Sequence, residues 1–245
     1  MKLTAIMPAA TSVIVSLMIS ASSAQVAGGG APGARGGRGM PAIERAKATD
    51  LEKPNTPTKP VDAAGFIQRW LILDPITAEG VTQNQVQAAV KTQHFPDELT
   101  LIPHDGMTVN MGGSELTWHA IDTREFKVNL YHFGPMINKP TNNVFFWVVT
   151  TIICPEDVPE ARLAIGSNDA SVWWVNGQEV VGIYGDRPAI IDDGVSKRLS
   201  LKKGINVIRG AVHNRAGQTD FLARFLDKND LPITNIVVDL REAAK

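Results

Sequence analysis

The chain has 245 residues but only one cysteine, two tyrosines and a formal net charge of −1. A lone Cys154 rules out any disulfide within the chain, so the fold depends on its apolar core. Cys154 ends the run VFFWVVTTIIC, and no pattern of basic or acidic neighbours marks it as a nucleophile, so it reads as a small buried hydrophobe. The near-zero charge removes any general pull toward nucleic acid or an anionic membrane. The apolar run Val13–Ile19 is too short and too interrupted to span a bilayer. Aromatic residues make up only 6% of the chain.

Catalytic strings are scarce too. No Gly-x-Ser-x-Gly elbow occurs: Ser114 and Ser196 have only the first glycine, and Ser167 lacks that spacing. The Gly-Asp-Ser and Asp-x-x-His pair of other carbohydrate esterases is missing, as are His-Glu-x-x-His and paired cysteines. His94, His104, His119, His132 and His213 are scattered, so a hydrolase triad would have to assemble in space.

The N-terminus reads as a secretory signal peptide over residues 1–24. Lys2 precedes the apolar run, and Ser22 and Ala24 are the small residues expected before a cut at Gln25. Residues 25–60 read as a flexible linker: Gly-rich from Gly28, then stiffened by Pro54, Pro57 and Pro60. This implies a secreted or periplasmic protein with no membrane contact after cleavage.

Residues 61–245 read as short strands separated by turns. The exception is TQNQVQAAVKTQHF (Thr82–Phe95), where Val86 and Val90 share a helical face, Thr82 or Asn84 can cap the start and Pro96 limits the end. Asn143–Cys154 is apolar on both faces and reads as a central strand. The expected fold is all-β, a β-sandwich or jelly roll with one short helix.

SVWWVNGQEVV (Ser171–Val181) is the most informative stretch. Asn176-Gly177 between β-formers predicts a type I′ hairpin. Trp173 and Trp174 then lie on its first strand and point to opposite faces. The core takes one; it takes both only if both faces of the sheet are covered.

AIGSNDASVWWVNGQEV, followed by DDGVSKRLSLKKGINVIRGAVHN, resembles galactose-binding-like jelly-roll modules attached to bacterial polysaccharide-degrading enzymes. The fuller run from FIQRWLILDPI through ELTWHAIDT to DFLARFLDKNDLPI is similar to the accessory domain of secreted proteins named acetylxylan esterases. The likeness covers roughly Phe66 to Val238 and implies a non-catalytic module that binds a polysaccharide or oligosaccharide, or docks to a carbohydrate-active enzyme. The alternatives are an acetylxylan esterase and a structural assembly domain.

Sugar recognition needs an aromatic plate for the ring face and planar polar side chains for the hydroxyl rim. Trp173 and Trp174 are the candidate plates. Tyr184, Asp186, Arg187, Asn168 and Asp169 are candidate partners, with His213 and Asn214 able to join them. Asp169, Glu179, Asp186, Asp192 and Asp193 cluster around the hairpin, where a glycosidase would need two carboxylates at a set separation. Their residue types equally suit turns. No cofactor is expected; Asp192 and Asp193 are candidate ligands should a structural calcium ion bind.

Overall fold

Strands that read as apolar on both faces need cover on both sides. A computed structural model, which describes residues 50–240, shows how this chain supplies it. We label the strands of five or more residues: β1 (Arg69–Leu73), β2 (Ser114–Thr123), β3 (Val144–Cys154), β4 (Val158–Ser167), β5 (Ser171–Val175), β6 (Gln178–Ile183), β7 (Gly204–Asn214) and β8 (Asp220–Leu226). The larger sheet runs β2-β1-β3-β7-β5-β6, with Leu51–Glu52 outside β2. The smaller sheet pairs β4 with β8 and is flanked by Gly194–Val195 and Val128–Asn129. Every pairing is antiparallel, and β3 and β7 match along their whole length, from Gly204↔Cys154 to Asn214↔Val144.

The two sheets close on one core. Trp70, Ile72, Phe146, Val148, Ile208 and Val212 of the larger sheet meet Leu163, Ile165, Phe221 and Phe225 of the smaller. This is the β-sandwich that the sequence predicts. The other face of the larger sheet carries a second core, with Leu71, Phe145, Trp147, Val149, Val172 and Trp174 under Val86, Val90 and Phe95. Its cover is the connection between β1 and β2, where residues 78–107 pair in no ladder. Within it a 3₁₀ turn, Gln83–Gln85, leads into α1 (Val86–Val90), and Gln85 Oε1 accepts from the Thr82 amide at 3.0 Å. The helix is shorter than its sequence suggests, for it buries only Val86 and Val90.

The twin indoles resolve accordingly. They do point to opposite faces, but neither reaches solvent: Trp173 is 0% exposed and Trp174 4%. Trp173 enters the sandwich, edge-on to Trp70 at 5.8 Å, and its Nε1 donates to Ser171 Oγ at 2.9 Å. The position opposite it on β7 is Gly210, where a Cβ would come within 2.5 Å of the indole; only glycine leaves the ring its space. Trp174 stacks on Trp147 at 5.5 Å and 20° beneath the α1 segment. Asn176 and Gly177 take φ of 50° and 80°, as the type I′ turn requires.

Two further elements differ from expectation. Leu51–Glu52 pairs with β2, and Lys59–Pro60 pairs with Val237–Val238, so residues expected to end a linker belong to the sheet. Leu51 is buried, and that burial offsets the cost of ordering. A second helix, α2 (Leu130–Met136), forms despite Gly134 and Pro135; Asn129 Oδ1 accepts from the His132 amide, and Leu130 and Phe133 are buried. The proposed signal peptide and residues 25–49 of the linker lie outside the described residues. No helix among the described residues is long and apolar enough to cross a membrane.

Candidate functional site

Three chain segments meet at the end of the larger sheet where β5 begins and β7 finishes. The Ser167–Ser171 connection brings Asp169 there with a left-handed φ of 61°. The Arg215 amide donates to Asp169 Oδ2 at 3.0 Å, and the Asp169 amide donates to the Arg187 carbonyl at 3.3 Å. Asp169 is buried, whereas Asp186 is exposed. Burial raises the Asp169 carboxyl above its ordinary range; the Arg215 amide works against this, and the neighbouring Asp186 carboxylate adds to it. Arg215 Nη2 reaches Asp186 Oδ2 at 3.2 Å. Arg187 follows Asp186 and pairs with Asp193 at 2.8 Å.

Arg215 also forms one wall of a groove of about 400 Å³, shared with Gly80, Val81, Thr82, Gln83, Asn84 and Asn143. Its size lies within the range of small-molecule sites. The Asn143 amide donates to the Arg215 carbonyl at 3.0 Å, which fixes the wall to β3. Both polar atoms of the Gln83 amide are buried without a hydrogen-bond partner.

Tyr184 is 37% exposed, the sole tyrosine or tryptophan among the exposed large hydrophobic side chains of the described residues. Its ring lies across Gly182, where a Cβ would come within 2.6 Å of the hydroxyl. The glycine thus leaves the hydroxyl end of the ring its space on the edge strand. Burial raises the Tyr184 hydroxyl above its ordinary value, nearby Glu179 adds to this, and Lys91 opposes it.

The structure therefore gathers Asp169, Asp186 and the Arg187 backbone around Arg215, whereas Tyr184 stands by Glu179 and Lys91. Asn168 adjoins them, its amide donating to the Asp220 carbonyl at 2.9 Å. Trp173 and Trp174 are removed from this set by burial on the two faces of the sheet. Asn214 turns inward, and its Nδ2 donates to the Thr141 carbonyl. Gln83, Asn143 and Arg215 were not indicated by the sequence reading. Arg215 follows His213-Asn214 directly, and that adjacency was the available signal.

Of the five carboxylates read as a catalytic or calcium cluster, Asp169 and Asp186 come together and the other three are in ion pairs. Asp192 is paired with Arg224, Asp193 with Arg187, and Glu179 with Lys91 at 2.9 Å. Among the described residues no group of three or more His, Cys, Asp or Glu side chains is placed to hold a metal ion. The histidines find carboxylates: His119 meets Asp74 at 2.9 Å, His132 meets Asp50 at 2.7 Å, and His94 meets Glu98 at 3.5 Å. His104 Nδ1 meets the Asp105 carbonyl at 2.9 Å. Among the described residues no serine hydroxyl hydrogen-bonds a histidine ring. Burial lifts the Cys154 thiol to about 11, so it stays protonated at neutral pH.

His213 is buried 5.1 Å from the Phe145 ring, and neither ring nitrogen has a partner. Burial lowers its pKa from 6.5, and nearby Arg215 lowers it further. A depressed folded-state pKa means that the unfolded chain takes up the proton first as pH falls. The urea midpoint is expected to drop as pH goes from about 7.5 to 5. His213→Phe should flatten that slope; an unchanged slope would contradict the burial of a neutral ring.

No family model matches the chain, and no curated protein matches it. Among solved structures it is similar to the PA14 sugar-binding domain from an RTX adhesin, at 10% identity and a TM-score of 0.38, covering 68% of this chain and 94% of that one. It is also similar to the PA14 domain of the antifreeze protein MpAFP, at 10% identity and a TM-score of 0.38, covering 78% and 96%. A third similarity is to the GH31 alpha-xylosidase from Xanthomonas citri, at 10% identity and a TM-score of 0.32, covering 77% of this chain and 18% of that one. At these scores the likenesses carry nothing over to the site described above.

Proposed function

We propose that this chain is an exported carbohydrate-binding module that performs no chemistry, with its site at the groove beside Asp169 and Asp186. The observation that carries this reading is a groove walled by the amides of Gln83, Asn84 and Asn143 and by the guanidinium of Arg215, which reaches the Asp186 carboxylate, with the exposed ring of Tyr184 two residues before Asp186 in the chain. Arg215 and Asp186 hold each other in position for the hydroxyl rim of a sugar, and Gln83 and Asn143 supply amides of either hydrogen-bonding polarity. Tyr184, seated beside Gly182 and exposed, offers the apolar ring contact that the sequence assigned to a tryptophan.

Such a site trades hydrogen bonds with water for equivalent ones with the sugar, so affinity should be modest. Calorimetric titration of the mature protein with xylo-oligosaccharides tests the reading. Arg215→Ala and Tyr184→Ala are each expected to weaken binding about ten-fold, the equivalent of one charge-assisted hydrogen bond or one ring contact. Binding unaffected by both substitutions would remove the groove from consideration.

A further inference from the structure

The face of the larger sheet that carries Trp174 is built like a closed site. Trp147 and Trp174 form a stacked aromatic floor, and Phe95 stands edge-on to Trp147 at 6.0 Å and to Trp118 at 6.4 Å. Polar groups with nothing to bond surround this floor. Trp118 Nε1, Trp147 Nε1 and Arg209 Nη1 are all buried without a hydrogen-bond partner, and the His94 ring, 6.3 Å from Trp147, has only the Glu98 carboxylate at 3.5 Å. An indole N–H and a guanidinium can only donate. The missing partner must therefore supply acceptors.

Arg209 adds a charge to that requirement. It is 3% exposed and stands beside Trp174 in the β5–β7 register. Its Nε and Nη2 donate to the backbone carbonyls of Glu98 and Leu101, which are neutral acceptors. The nearest carboxyl on that segment, Glu98, is taken up by the His94 amide at 2.8 Å. Burial alone pulls the Arg209 pKa down to about 10, with no carboxylate raising it. A buried cation without an anion is costly, and an anionic ligand removes the cost.

We infer that the Trp147–Trp174 face beneath residues 79–104 is a second binding surface, which takes the carboxylate of a uronic acid residue on Arg209 and its ring on the stacked indoles. This inference rests on the carbohydrate reading above and names the class of sugar. The cover belongs to no sheet ladder; besides the packed side chains of Val86, Val90 and Phe95, it is tied to the sheet by the two Arg209 bonds and the exposed Lys91–Glu179 pair, and opening it uncovers the indoles. An incoming carboxylate competes for the guanidinium that holds the cover down, so binding and opening are one event.

The test compares a glucuronic-acid-substituted xylo-oligosaccharide with the unsubstituted chain of equal length, by calorimetry and tryptophan fluorescence. The acidic sugar is expected to bind about ten-fold tighter at low salt and to change tryptophan emission. Arg209→Met should abolish that preference and leave the neutral sugar's affinity unchanged. Trp118→Phe, which keeps an aromatic ring and removes the donor, should reduce the preference several-fold. It carries the test if Arg209→Met fails to fold by near-UV circular dichroism. Equal affinities for both sugars overturn the inference and leave the groove reading standing. A preference that survives Arg209→Met and Trp118→Phe but is lost in Arg215→Ala puts the carboxylate at the groove and also overturns it. No binding by either sugar overturns both readings.

Discussion

Trp173→Ala is expected to lower the unfolding free energy by about 3–5 kcal/mol, the cost of removing a large aromatic from a packed core. The indole is fully buried between Trp70 and Phe221, at 5.8 and 5.3 Å, so the cavity it leaves is lined on two sides by rigid rings that cannot collapse into it. Gly210 contributes nothing to fill the space from the facing strand. Ser171 Oγ also loses the donor it accepts from and stays buried. Urea titration followed by far-UV circular dichroism measures the effect. A loss below about 1 kcal/mol would mean that Trp173 does not sit inside the sandwich. The same variant should bind sugar normally wherever it remains folded, because the ring touches neither candidate binding surface. Carbohydrate binding that disappears while stability is retained would return Trp173 to the role of sugar platform.

That prediction depends on a feature the sequence held in plain view without being read fully. β3 reads VFFWVVTTIIC, apolar at every step but two threonines, and it is paired with β7, which in turn pairs with β5. A strand apolar on both faces implies cover on both sides of its sheet, and β5 lies in that same sheet. Two adjacent tryptophans were therefore both bound for burial. What hid the conclusion was the cover itself. TQNQVQAAVKTQHF presents only Val86, Val90 and Phe95 to the sheet and exposes most of its glutamines, so its composition does not announce a core element. The hairpin was legible because Asn-Gly chemistry is local. The Asp169–Asp186–Arg215 cluster was half legible: its first two members sit near the hairpin, while Arg215 arrives from a strand some thirty residues on, and no local pattern links them. Leu51–Glu52 and α2 were lost for a related reason. Their Pro- and Gly-bearing segments oppose regular structure by propensity, and tertiary burial of Leu51, Leu130 and Phe133 overrides it.

Asp122→Ala is the other substitution expected to be severe, at about 3–5 kcal/mol. Asp122 and Arg69 are directly paired between β2 and β1, and both are almost wholly buried. Arg69 Nε meets Asp122 Oδ1 at 2.7 Å and Nη2 meets Oδ2 at 2.9 Å, a two-pronged contact that fixes the guanidinium plane. The remaining donors go to Thr56, at 2.8 Å to its carbonyl and 3.0 Å to its hydroxyl, so the ion pair also anchors the N-terminal segment onto the sheet. Lys59 approaches Asp122 from the same segment at 3.3 Å. Removing the carboxylate leaves one buried guanidinium and one half-buried ammonium facing each other with no anion between them, and that repulsion adds to the desolvation cost. Replacing both partners tells the two contributions apart. Arg69→Met with Asp122→Leu should recover most of the loss, because an apolar pair of similar volume carries no unpaired charge. It should not restore protection of residues 51–60 from proteolysis, since the bonds to Thr56 go with the guanidinium. A single Asp122→Ala variant as stable as the parent in urea would show that the pair is solvated and that the N-terminal segment is held by Leu51 alone.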